Sequence, residues 1–109
     1  MSVFVDTNVL VYVRDRSEAD KQRRAAGWVG SLWETGLGRL SYQVLQEYYV
    51  TLTTKLDPPR SIQDARDDVG ALRAWNPVGI DQTVIEGAWD VQDRFGYSWW
   101  DALIVAAAL

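Results

Sequence analysis

Apolar residues along the chain fall into short β-like runs and longer stretches of helical spacing, and the two kinds alternate. Val3-Phe4-Val5 is brief, β-branched and aromatic. Asp6-Thr7-Asn8 follows at once and can cap a helix through Val9-Leu10-Val11-Tyr12-Val13, so the opening reads as a strand entering a helix. Ser17 is predicted to start a longer helix in which Ala25, Trp28, Val29, Leu32 and Trp33 recur at helical spacing, ending at Gly36 and Gly38. Arg39-Leu40-Ser41 suits a second short strand. From Tyr42 to Leu56, Val44, Leu45, Tyr48, Tyr49, Leu52 and Leu56 fit one helix face, and Asp57-Pro58-Pro59 ends it.

Ser61 is a candidate N-cap for a polar helix carrying Ile62, Ala65, Val69 and Leu72, which Asn76-Pro77 breaks before Val78-Gly79-Ile80. Asp81 can cap the next helix, which reaches about Phe95 and stops at Gly96. Ser98 opens the last one, Trp99 to Leu109. Short strands alternating with helices indicate an α/β layer with a short, mainly parallel central sheet flanked by helices.

Composition narrows the chemistry. With 109 residues and 48% hydrophobic content, the chain suits a single domain over residues 1–109. Cysteine and histidine are both absent, so thiolate and imidazole chemistry is excluded, and carboxylates, hydroxyls, amides and Lys/Arg remain. A formal charge of −4 argues against a protein that holds nucleic acid mainly through a large basic surface, but not against an enzyme whose bound cations supply the positive charge. No basic stretch leads into an apolar core at the N-terminus. The longest apolar run, Ala102 to Leu109, is far shorter than the roughly 20 residues of a membrane span. The expectation is a cytoplasmic protein outside the membrane.

Three acids stand out. Asp6 lies where the first strand ends, at the carboxyl end beyond which open parallel sheets place ligands, yet it could equally serve only as a helix cap. Asp101 is the only charged residue between Trp99 and Leu109, in a helix apolar on every side; such a helix is normally buried, and a buried carboxylate needs a partner or a cation. Ser98-Trp99-Trp100-Asp101 also fits the S-x-x-D capping box, and the two roles can coexist. Glu47 sits at the margin of an apolar stripe and by itself reads as a solvated helix residue. Asp64, Asp67 and Asp68 read as a solvated face. The six tryptophans read as core or subunit interface rather than base-stacking platforms, since Trp28, Trp33, Trp75, Trp89 and Trp99 fall within apolar helical patterns.

Val3-Phe4-Val5-Asp6-Thr7-Asn8-Val9-Leu10 resembles the opening motif of PIN domains, and Tyr97-Ser98-Trp99-Trp100-Asp101-Ala102-Leu103-Ile104 resembles their later acidic motif. Gln43-Val44-Leu45-Gln46-Glu47-Tyr48 is similar to the middle segment, and the order and spacing of all three match VapC-type toxins. The resemblance implies a PIN-like three-layer fold and a site in which Asp6, Glu47 and Asp101 hold one or two Mg²⁺ or Mn²⁺ ions. Hard cations select oxygen ligands, and crowded carboxylates repel unless a cation neutralises them. Asn8 and Ser98 match polar positions that orient ligands or water. The implied function is metal-dependent hydrolysis of RNA by a toxin that pairs with an antitoxin and forms a homodimer. PIN domains usually carry a fourth acid in a strand-loop segment beyond the helix holding Asp101, whereas this chain stops at Leu109. The expectation is therefore an incomplete domain, with its last strand segment missing and its second metal weakly held.

Two other readings compete. A non-catalytic PIN-like interaction module is favoured by the missing fourth acid and opposed by retention of the other three. A different Asp-dependent doubly wound domain, such as a phosphatase or a receiver, fares worse. The phosphatase needs an acid two residues after Asp6, where Asn8 stands, and the receiver needs a late lysine, whereas the last is Lys55.

Overall fold

The computed structural model describes residues 2–109. Its first unit is a parallel β-α-β arrangement. Strand β1 (Val3–Phe4) leads into helix α1 (Thr7–Tyr12), and helix α2 (Ala19–Thr35) returns the chain to strand β2 (Gly38–Arg39). β1 and β2 pair in parallel with Val3 opposite Gly38 and Phe4 opposite Arg39. Main-chain bonds from Val3 N to Leu37 O and Val5 N to Arg39 O, both 2.8 Å, extend that ladder. The segment after Asn76-Pro77 adds a single parallel bridge between Ser41 and Val78. Val78 donates to Leu40 O, Tyr42 donates to Val78 O, and Gly79 and Ile80 then turn outward as exposed residues. The protein is thus α/β, mostly helical, with the short parallel sheet that the pattern implied.

The helix stops follow the sequence closely. Gly36 and Gly96 adopt the left-handed conformation, φ 69° and 66°, that ends α2 and α5. Ser41, Ser61, Asp81 and Ser98 each accept a main-chain N–H at the start of α3 (Tyr42–Thr54), α4 (Ile62–Leu72), α5 (Gln82–Phe95) and α6 (Trp99–Ala108). The start of α2 differs from expectation. Ser17 does not cap it, because its N–H and hydroxyl are both taken by Asp15 Oδ1, and the helix begins two residues later.

The main core joins Val5, Leu10, Val29, Leu32, Leu40, Val44, Leu45, Leu52 and Leu72 beneath the sheet. Burial of these aliphatic side chains, each worth roughly 1.5–3 kcal/mol, is what holds α1, α2, α3 and α4 around it. A second, smaller core lies between α5 and α6, where Ala88 and Val91 meet Ala102 and Leu103, and Ile104 packs onto the main core. Alanines at the contact let the two helix backbones approach closely. Helix α6 is buried or half-buried from Ala102 to Ala107, while Trp100, Asp101 and Ala108 towards its ends are exposed, in contrast to the full burial expected of its composition.

Of the two places expected for the tryptophans, core or subunit interface, the core takes only part. Trp75 is buried, beside Gly38 and edge-on to Trp33, but Trp28, Trp33, Trp89 and Trp100 are exposed. A domain this small lacks the volume to enclose more of them. Asp68 corrects an expectation. It is not on a solvated face, since its side chain is only 9% exposed and accepts from both Arg14 and Arg60. Asp64 and Asp67 are exposed, as expected. No helix among the described residues is long and apolar enough to cross a membrane.

Candidate metal centre

The three acids arrive from three helix starts. Asp6 is the N-cap of α1 in extended conformation, φ −76° and ψ 154°, and its Oδ1 accepts from Thr7 N at 2.8 Å. The capping role and the position beyond the carboxyl end of β1 thus coexist. Glu47 stands in the second turn of α3 and is half-buried. Its Oε2 accepts from Thr7 Oγ1 at 3.0 Å and its Oε1 from Gln43 Nε2 at 3.3 Å. Thr7 is itself buried, so the residue after Asp6 ties the start of α1 directly to Glu47.

Asp101 lies in the first turn of α6, where its N–H donates to Ser98 Oγ at 3.2 Å, forming the Ser98 half of the expected capping box. Asp101 is exposed rather than buried, because α6 starts at the surface and its continuous burial begins only at Ala102. The link to the other acids runs through the main chain. Gln43 Nε2 donates to Trp100 O at 3.2 Å, joining the start of α3 to the residue preceding Asp101. Asn8 is exposed at the second position of α1.

Thr7 and Gln43 were not singled out by the sequence reading. A signal existed for each: Thr7 lies within the Asp6-Thr7-Asn8 motif, and Gln43 precedes Glu47 by four residues, the spacing at which helical side chains meet.

Among the described residues, no lysine or arginine forms an ion pair with these carboxylates. The ion pairs among the described residues join Arg14 and Arg60 to Asp68, Arg23 to Asp20, and Arg94 to Asp90, and none includes Asp6, Glu47 or Asp101. Among the described residues no three acidic side chains stand close enough to cage an ion directly. That arrangement still suits a small hard cation, since Mg²⁺ keeps several waters and is usually held through one or two carboxylates. The donors fit as well, being all oxygen, and Gln43 Oε1 is a buried acceptor with no partner beside Glu47.

The fold is an α/β domain in which side-chain hydrogen bonds join the start of α1 to Glu47 of α3, and α3 to the residue before Asp101. The PIN domain family model matches residues 3–109, and the chain belongs to the PIN domain family. PIN domains are typically nucleases that use divalent metal ions, which makes nuclease chemistry the activity class of this chain. Family membership leaves the phosphatase and receiver alternatives without support. Comparison with curated proteins returned no match.

Proposed function

We propose that this chain is a metal-dependent endoribonuclease of the VapC toxin type, acting in the cytoplasm with Mg²⁺ or Mn²⁺ at Asp6, Glu47 and Asp101. The observation that carries the reading is the pair of buried polar side chains, Thr7 and Gln43, that tie the three acid-bearing helix starts to one another. A bound divalent cation would activate the attacking water and stabilise charge developing on the phosphodiester. The protein's own contribution is placement. Thr7 and Gln43 each hold one oxygen of Glu47, Ser98 fixes the first turn of α6 on which Asp101 stands, and Asn8 lies exposed beside Asp6, able to orient water.

RNA is the substrate class and a small antitoxin protein the regulatory partner, with a homodimer as the working assembly. Surface chemistry supports association: Trp28, Trp89 and Trp100 are all more than half exposed. Trp28 also borders an apolar groove with Val9, Tyr12 and Ala25, rimmed by Lys21 and Arg24.

The test is cleavage of a single-stranded RNA, with a DNA of the same sequence as control, by the wild type and by Asp101→Asn, with and without EDTA. The expected result is RNA cleavage abolished by either EDTA or the substitution, with the circular-dichroism spectrum unchanged. Wild-type cleavage rates in the variant, or insensitivity to EDTA, would show the reading to be wrong.

A further inference from the structure

Gln43 is 8% exposed and its amide is fully oriented by its surroundings. One N–H faces Glu47 Oε1 at 3.3 Å and the other faces Trp100 O at 3.2 Å. Both neighbours are acceptors only, so exchanging the amide nitrogen and oxygen would set Oε1 against two oxygens, and the orientation is fixed by chemistry. Oε1 is therefore directed away from both, buried and without a partner. Buried acceptors are nearly always satisfied, by protein or by an ordered water. Thr7 meanwhile occupies the other oxygen of Glu47, so Gln43 completes the restraint of that carboxylate and also ties it to the residue next to Asp101.

We propose that Gln43 is a positioning residue of the metal centre: its amide hydrogens keep the Glu47 carboxylate in register with the α6 backbone beside Asp101, and its Oε1 accepts from a water that accompanies the bound divalent cation. The inference rests on the metal-dependent reading above and adds to it a residue that touches no reacting atom. A role in packing alone makes a different forecast. An apolar side chain of similar size removes the unpaired acceptor but also the bonds that Gln43 donates to Glu47 and to Trp100 O, so packing alone predicts a modest loss of stability and gives no reason for metal affinity to change.

The experiment is a calorimetric Mn²⁺ titration of the full chain as wild type, Gln43→Leu, Gln43→Met and Glu47→Gln, with metal-free thermal unfolding of each. The expected result is that both Gln43 variants fold, with a metal-free Tm modestly below that of the wild type, and bind Mn²⁺ with Kd raised about tenfold, the lower end of the effect of groups that orient metal ligands. Loss of binding in Glu47→Gln alongside wild-type Kd in both Gln43 variants overturns this inference alone. An absence of Mn²⁺ binding in the wild type, or binding that survives Glu47→Gln unaltered, overturns the metal-dependent reading with it. Failure of both Gln43 variants to fold identifies a residue that holds the fold rather than the carboxylate, and also overturns the inference.

Discussion

Thr7→Val isolates the bond on which the centre depends. Valine matches threonine in shape, so the substitution exchanges a hydroxyl for a methyl and leaves packing at this buried position nearly unchanged. What disappears is the 3.0 Å bond from Thr7 Oγ1 to Glu47 Oε2. Hydrogen bonds to charged acceptors contribute about 1.5–3 kcal/mol. Glu47 is half-buried, so water can reach the released oxygen, and the cost falls at or below the lower end, about 1–1.5 kcal/mol. For a domain of this size that corresponds to a fall in Tm of about 4–12 °C. The assay is thermal and urea unfolding of wild type, Thr7→Val, Glu47→Gln and the double variant. The double-mutant cycle should give a coupling of about 1 kcal/mol between residues 7 and 47, and Thr7→Ser should restore most of the loss. Metal-dependent cleavage should fall by about tenfold in Thr7→Val, as when a group that orients a metal ligand is removed. Zero coupling, with Thr7→Val as stable as the wild type, would refute the argument that Thr7 anchors Glu47.

Two other outcomes follow from the packing. A Cβ on Gly38 would lie 2.6 Å from the Trp75 ring, which is itself buried and braced edge-on by Trp33, so Gly38→Ala should cost about 1–3 kcal/mol in urea unfolding, and Trp75→Phe should relieve part of it. The Tyr48 phenol is held above its ordinary 10.0, first by burial and then by the charge of Asp68. The neutral phenol is thus favoured in the folded state, and its contribution is intact below pH 10.0 and lost as pH rises through the folded value. Unfolding curves from about pH 8 to about pH 11 should show wild type losing stability relative to Tyr48→Phe only at the alkaline end.

Much of the fold was legible because the helix boundaries are marked by residues whose roles are local. Ser41, Ser61, Asp81 and Ser98 cap, Gly36 and Gly96 stop, and none of these depends on what packs nearby. Tertiary competition was not legible. Asp15 captures Ser17 from the start of α2, and Arg14 and Arg60 turn Asp68 inward from a helix that reads as polar on that side. The choice between core and interface for the tryptophans was closed to the sequence for a related reason: helical spacing shows that Trp28 and Trp33 share a face with Val29 and Leu32, but not that the covering surface ends before it reaches them. At the site the acids were visible from their motifs, whereas Thr7 and Gln43 carry no charge and only contact reveals what they hold.

The placement of the acids has an electrostatic logic of its own. Asp6 and Asp101 stand at the starts of α1 and α6, where free N–H groups and the positive end of the helix dipole favour negative charge by about 0.3–1 kcal/mol each. Glu47 lies one turn further into α3, where that effect has faded, and it is the acid that the protein supplies with two side-chain donors. Among the described residues each carboxylate is therefore stabilised by a neutral dipole rather than by an ion pair with arginine or lysine, though the chain has 11 such cations and places three of its arginines in the ion pairs of Asp68 and Asp20. An arginine here would satisfy an acid permanently and compete with any incoming metal. Amide and hydroxyl donors orient the oxygens while leaving their charge uncompensated, and that residual charge is what a hydrated divalent cation requires of its site.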